Sequence, residues 1–332
     1  MCRRARLLRR EGGIDCQTNL TALEGGLALA AALSVKRNLP IMDRIETLQA
    51  GQYNAAFTPE EQARAIDALE SGSVLVFPQL NFSVSNEELK LFRPALVGKS
   101  KNVSYDIRTD SVGGATIDGA EAAVLKEMIS RYAKSTRALL DGLLPSYEAQ
   151  KNQARTSFRP VEVEGRVTSW RKDDTRLHVD SFPSAPTHGK RILRVFANVN
   201  PNGKPRVWRV GEPFENMAKR FLPAVKRPFP GSLAMMQLMR ITKSRRTEYD
   251  HTMLQLHDLM KADERYQAEV DQITHEFPAG STWMAYADQV SHAAMRGQFQ
   301  FEQTFLIPIG CQRTPERSPL KVLERLSSRA LV

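Results

Sequence analysis

The chain has 332 residues, 42% of them hydrophobic, 25% charged and 7% aromatic, with a formal net charge of +10. This balance excludes a fibre, a collagen-like repeat or a disordered chain, and the length suits one catalytic domain with an extension or two small domains. The positive excess favours an anionic partner, whether nucleic acid, a membrane surface, or a substrate bearing carboxylates or phosphates.

Residues 1–41 show neither a helical nor a strand period. They hold seven basic and three acidic side chains, so +4 of the net charge resides there. Arg3, Arg4, Arg6, Arg9 and Arg10 precede an apolar run at 27–35 that is too short to cross a bilayer. Glu11, Asp15 and Glu24 intervene, which argues against a signal peptide. Met42 reads as a natural start, and residues 1–41 are expected to be a disordered, functionally silent extension. Cys2, Cys16 and Cys311 form no paired framework and no CxxC spacing, so a reducing, cytoplasmic compartment is expected, with no transmembrane helix.

A helix is predicted over 59–71, opened by the capping box Thr58-Pro59-Glu60-Glu61 and closed by Gly72. A short apolar strand follows at 73–77, and a longer amphipathic helix at about 120–144 is stopped by Pro145. Residues 42–150 therefore read as helix-rich. From Pro160 the texture changes to β-branched and aromatic runs at 161–170, 192–199, 207–210, 282–286 and 299–309, separated by Pro, Gly and Asn. A helical insert at about 249–270 interrupts them. The expected fold is α+β, with a β-sandwich or barrel core over 155–310 inside a domain of 42–317, helices packed outside it, and 318–332 as a C-terminal tail.

One of the six histidines stands in an HxD triplet, His178-Val179-Asp180, placed after a predicted strand and before the turn Ser181-Phe182-Pro183. In extended backbone, residues two apart face the same side, so one imidazole and one carboxylate can converge on one cation. That is two thirds of the facial triad of non-haem Fe(II) oxygenases. His292, far along the chain between the run at 282–286 and the last predicted strand, supplies the third ligand if early and late strands meet. His188 lies in a loop, His251 and His257 fall on a predicted helix, and His275 sits beside Glu276; these four are read as structural or solvent-exposed.

Three protein ligands on an octahedral iron leave three positions, which suit an oxo-acid chelating through two oxygens and O₂ taking the last. A zinc hydrolase would need a water-activating arrangement, and no HExxH appears. The distal carboxylate of 2-oxoglutarate calls for an arginine fork. Many oxygenases of this class carry one about ten residues after the last histidine, where this chain has Glu302. Arg194 on the 192–199 strand is the first alternative. Arg206 is second, sharing a strand face with Trp208 and Val210, and Arg159 precedes the core strands.

The segments His178-Val-Asp-Ser-Phe-Pro-Ser184, Arg191-Ile-Leu-Arg-Val-Phe-Ala-Asn-Val-Asn-Pro201, Gly203-Lys-Pro-Arg-Val-Trp-Arg-Val-Gly211, Asp288-Gln-Val-Ser-His-Ala-Ala294 and Glu302-Gln-Thr304 resemble the Kdo 3-hydroxylase (Kdo dioxygenase) family. The resemblance extends over about 42–310. It implies a double-stranded β-helix (jelly-roll, cupin-like) core with flanking helices. It also implies Fe(II) with 2-oxoglutarate and O₂ as co-substrates, supported by ascorbate. The implied reaction is hydroxylation at C3 of 3-deoxy-D-manno-oct-2-ulosonic acid (Kdo), the acidic sugar joined to lipid A in lipopolysaccharide. The product would be D-glycero-D-talo-oct-2-ulosonic acid, with succinate and CO₂.

The family's metal triad carries onto His178, Asp180 and His292, and its arginine-lined pocket onto Arg159, Arg194, Arg206 and Trp208. An anionic sugar lipid fits the basic charge, and a rim including Arg171, Lys172, Lys190 and Arg191 is expected to draw it from the cytoplasmic face of the inner membrane. Lys243, Arg245 and Arg246 are read first as a solvated turn before a helix and second as part of that rim. The rival readings are a 2-oxoglutarate oxygenase acting on another metabolite or lipid, and a cupin-like metal protein without redox turnover. Nucleic acid is not an expected partner, because the aromatics do not interleave with Lys and Arg.

Overall fold

The computed structural model describes residues 44–98, 100–147, 153–229 and 231–332. The expected extension at 1–41 lies outside these residues. The chain begins with β1 (Ile45–Thr47), α1 (Pro59–Ser71), β2 (Val74–Phe77), α2 (Asn86–Leu89), β3 (Val103–Asp106), β4 (Ser111–Gly113) and α3 (Gly119–Leu143). It continues with β5 (Gln153–Arg159), β6 (Arg191–Asn198), β7 (Arg206–Val210), α4 (Phe214–Phe221), α5 (Ser232–Leu238), α6 (Glu248–Ala262) and α7 (Glu264–Glu269). The last elements are β8 (Ile273–Phe277), β9 (Thr282–Tyr286), β10 (His292–Arg296), β11 (Gln300–Ile307) and α8 (Pro319–Ser327).

Local chemistry sets the early helices. The Glu61 amide donates to the Thr58 hydroxyl at 3.2 Å and the Thr58 amide donates to the Glu61 carboxylate at 2.8 Å, a reciprocal cap that starts α1. Gly72 ends α1 with φ +89°, a conformation that strains any residue carrying a Cβ. In α3 the buried residues Leu125, Met128, Ile129, Tyr132, Ala133, Thr136, Leu139, Leu140 and Leu143 recur three and four apart, which is one face of a helix.

The strands form an eight-stranded sheet in the order β1-β2-β9-β6-β11-β5-β3-β4 and a three-stranded sheet in the order β10-β7-β8. Among the described residues the strand pairs are antiparallel except β1 with β2. Alternation along β6 gives the large sheet two different faces. Leu193, Val195 and Ala197 join Phe301, Phe305 and Phe158 in the apolar cluster under α1 and α3. Phe196 points the other way, into a cluster with Trp208, Val210 and Phe277 of the small sheet and with Trp283. The Phe196 and Trp208 rings meet edge to face at 5.0 Å, so the two sheets pack face to face.

Several expectations are revised here. No strand spans 161–170: the Glu162 carboxylate accepts from its neighbouring Val163 amide at 2.8 Å, and Gly165 has φ +74°, so local bonding replaces a ladder. The strand that pairs with β11 is β5, just before Pro160. The helix-rich first part also supplies four strands to the large sheet. Residues 318–332 are not a loose tail, because α8 buries Leu320, Val322 and Leu323 among α4, α6 and α7. His275, read as structural or solvent-exposed beside Glu276, stands on β8 opposite Trp208.

Glu70, at the end of α1, is buried and accepts three hydrogen bonds: from the Tyr147 hydroxyl at 2.8 Å, the Arg313 amide at 2.8 Å and the Thr314 amide at 2.7 Å. It ties α1, the turn after α3 and the segment leading to α8 together. Glu70→Ala is expected to cost about 2–3 kcal/mol, read as a lowered urea midpoint at unchanged m-value, with Glu70→Gln losing less.

Candidate active site

The site begins with a short length of extended chain. The His178 amide donates to the His292 carbonyl at 3.0 Å, and the His292 amide returns the bond to His178 at 2.9 Å. This bridge attaches 177–179 to the edge of the small sheet beyond β10. Leu177 and Val179 turn into the helical cluster of α4, α6 and α7, so His178 and Asp180 turn the other way, as two-residue alternation requires. Gln267 of α7 closes the outer edge, receiving the Leu177 amide at 2.6 Å and donating to its carbonyl at 3.0 Å. The Asp180 amide donates to the Ala287 carbonyl at 2.7 Å, which fixes the third residue.

Each imidazole is oriented through Nδ1, by the Arg176 carbonyl at 2.7 Å for His178 and the Val290 carbonyl at 2.8 Å for His292. A carbonyl has no proton to give, so Nδ1 carries the hydrogen and Nε2 keeps its lone pair. Burial holds both imidazoles below their ordinary 6.5, His178 well below it, and so keeps them neutral. Burial raises Asp180, but the Arg194 guanidinium and then His292 outweigh it, and the net direction is down. Two neutral imidazoles and one carboxylate offer ligand atoms within 4.8 Å of one another, the one such group among the described residues. Soft thiolates are absent from this donor set, and two nitrogens with one oxygen fit a divalent iron.

Trp208 stacks on the His292 ring at 5.0 Å with 26° between planes. The surrounding cavity is lined from the large sheet by Arg159, Arg194, Phe196, Gln300 and Glu302, and from the small sheet by Arg206, Trp208, His292 and Ala294. Arg194 places Nε 2.7 Å from Asp180 Oδ2 and also pairs with Glu302. The other oxygen of Glu302 lies 2.8 Å from Arg159. Arg206 differs from both. It is buried, donates to the Gly297 carbonyl at 2.7 Å, and pairs with no carboxylate among the described residues. Burial, reinforced by repulsion from Arg159, pulls its pKa down to about 10. A buried guanidinium in this condition is a seat for an anion.

The seven residues expected to hold the metal and line its pocket, His178, Asp180, His292, Arg159, Arg194, Arg206 and Trp208, thus line one cavity. Gln300, Phe196 and Asp174 were not singled out, and alternation of polar with apolar residues along β11 was the signal for Gln300 beside Glu302. His257, read as structural or solvent-exposed, lies with its ring 5.4 Å from that of His178. Its spacing of four from the buried Met253 and Lys261 of α6 already put it on the inner helix face. Arg191 leaves the expected rim. It is fully buried, bonded to Asp288 at 2.8 Å, and stacked on Tyr286 at 3.8 Å, because it starts the central strand β6.

A family model described as 3-deoxy-D-manno-oct-2-ulosonic acid (Kdo) hydroxylase matches residues 52–330. The chain belongs to the Kdo hydroxylase family. Among solved structures it is similar to the Kdo hydroxylase KdoO, a non-heme Fe(II) alphaketoglutarate-dependent dioxygenase, at 50% sequence identity over 87% of this chain and 98% of that one. The TM-score is 0.85 to its complex with alphaketoglutarate and Fe(III), 0.85 to that with cobalt(II), and 0.84 to that with succinate and Fe(III). The two facing sheets are the jelly roll of this Kdo hydroxylase, as expected from the sequence. A comparison with curated proteins returned no match.

The depressed histidines give this Kdo hydroxylase family member a pH signature without metal. Below 6.5 the unfolded chain binds protons at His178 and His292 that the folded chain refuses. Stability is therefore complete above that value and is lost as the pH falls through it. Melting temperatures of the metal-free protein should decline from pH 6.5 toward about 5. The double variant His178→Gln, His292→Gln should flatten that decline.

Proposed function

We propose that this chain hydroxylates C3 of Kdo, with Fe(II) held by His178, Asp180 and His292 and 2-oxoglutarate as co-substrate. The observation that carries the reading is the pairing of a metal-ligand triad with the uncompensated, buried Arg206 in one cavity. When bound, Fe(II) with 2-oxoglutarate supplies the oxidising chemistry: O₂ puts one oxygen into succinate as CO₂ leaves and the other into the sugar.

The protein's own groups bind, orient and exclude water. The Nδ1–H bonds to the Arg176 and Val290 carbonyls aim both Nε2 lone pairs at a common point. Trp208 fixes the plane of His292. Arg194 keeps Asp180 ionised and turned inward, and Glu302 supplies the second counter-charge for that arginine. Glu302 thereby has a reason to stand where related oxygenases carry a cation. Arg206, assisted by the otherwise unbonded Nε of Arg159, receives the distal carboxylate of 2-oxoglutarate. This assignment reverses the order expected from the sequence, in which Arg194 came first.

The acceptor we propose is Kdo joined to lipid A, reached by peripheral contact with the cytoplasmic face of the inner membrane. No helix among the described residues is long and apolar enough to cross a membrane. Cations at the surface, including Arg171, Lys172 and Lys190, suit a substrate bearing a carboxylate and phosphates.

Mass spectrometry of Kdo-lipid A incubated with the protein, Fe(II), ascorbate and 2-oxoglutarate should show a gain of one oxygen on the sugar, lost in His292→Ala. Succinate formation without that gain would point to another acceptor, and no succinate at all would sink the reading. Arg206→Met should raise the 2-oxoglutarate concentration needed for half-maximal rate roughly thirtyfold or more while leaving cobalt(II) binding intact.

A further inference from the structure

The surface of the segment after α4 carries a feature that catalysis does not use. Nine large hydrophobic side chains are exposed among the described residues, and five of them, Phe229, Met235, Leu238, Met239 and Ile241, fall within 229–241. Phe229 is 85% exposed and Leu238 84%, so these side chains project outward from the fold. Single exposed hydrophobics are ordinary, but a cluster of this kind marks a surface that meets something apolar. The segment is nevertheless folded: α5 is followed by bonds from the Met239 amide to Met235 at 2.9 Å and the Ile241 amide to Met236 at 3.0 Å.

The charge around the cluster has one sign. Residues 222–247 contain six Lys and Arg and no Asp or Glu. Lys226, Arg227, Arg240, Lys243 and Arg245 are exposed, and none pairs with a carboxylate among the described residues. We propose that this segment is a membrane-docking element that inserts its apolar side chains into a bilayer of anionic phospholipid while its basic residues meet the headgroups. A second copy of the chain is the weaker occupant, because a symmetric contact would bring two uncompensated positive patches face to face.

The element is anchored to the catalytic loop. The Lys243 amide donates to the Ser184 carbonyl at 2.9 Å, and Arg246, the one buried cation of the run, bonds to the Pro183 carbonyl. Both carbonyls lie within four residues of Asp180. Docking therefore holds the Asp180 loop beside the bilayer, where a lipid-linked sugar is presented. This consequence rests on the proposed acceptor, but the docking itself requires no substrate.

The test is sedimentation of the full chain with vesicles of phosphatidylglycerol mixed with phosphatidylcholine, and with phosphatidylcholine alone. Wild type should bind the anionic vesicles and not the zwitterionic ones. The triple variant Arg240→Ser, Lys243→Ser, Arg245→Ser should weaken binding about a hundredfold, near fivefold per charge. The double variant Phe229→Ser, Leu238→Ser should weaken it on the order of tenfold or more. Both should keep the cobalt(II)-induced rise in melting temperature, which shows an intact fold. Absence of wild-type binding, or wild-type affinity in both variants, would overturn the proposal. So would a change of oligomeric state in the double variant with vesicle binding retained, which would assign the patch to a second copy. Vesicle binding by a protein that fails to oxidise Kdo would leave the docking element standing and remove only the proposed acceptor.

Discussion

The two-way backbone bond between His178 and His292 is the constraint on which the site depends. It joins chain positions 114 apart and places their side chains on the same side of one ladder. Asp180 follows through its own bond to Ala287, and Ala287 is held in turn by its amide bond to the Ile192 carbonyl at 2.9 Å. The turn between β9 and β10 is further pinned by the buried pair of Arg191 with Asp288. The three candidate ligands therefore derive their positions from main-chain bonds and one ion pair, with little left to side-chain freedom. Such preorganisation suits a centre whose donors must stand ready before the metal arrives.

Electrostatics then divides the cavity. Three arginines face it, yet two of them are engaged by Asp180 and Glu302. The third, Arg206, bears the desolvation of a buried cation with no ion-paired carboxylate among the described residues. A dicarboxylate bound beside Arg206 would relieve that imbalance. A buried cation in this condition lowers local stability, a cost found where binding sites are built into a close-packed fold.

The large sheet meets two different environments because its faces are chemically distinct. One face is covered by α1 and α3 over a continuous apolar cluster. The other meets the small sheet and opens into the arginine-lined cavity. The helices α4, α6, α7 and α8 form a third body of apolar packing behind Leu177 and Val179, and the docking segment extends from it. The Asp180 loop and the exposed apolar surface are thus neighbours in space as well as in bonding.

Much of this was legible in the residues. The Thr58 cap, the spacing of apolar residues in α3 and the runs at β6, β7 and β9 are local signals, and each gave an element close to its observed bounds. The triplet His178-Val179-Asp180 carried its own geometry, since alternation in extended chain is a property of the backbone. The strand expected at 161–170 failed because Glu162 and Gly165 offered local bonding that outcompeted a ladder. Arg191 was misplaced because an arginine beginning a strand reads the same whether it faces water or a buried aspartate 97 residues away.

By itself the sequence determined the donor types, the elements that carry them and the family to which they belong, because these follow from short-range chemistry and motif identity. Only the tertiary structure decided which of the three cavity arginines has no ion-paired carboxylate among the described residues, that His257 lies against His178, and that the exposed apolar segment is tied to the Asp180 loop. Pairing between distant residues depends on which faces the sheets bury together, and no local pattern along the chain encodes that choice.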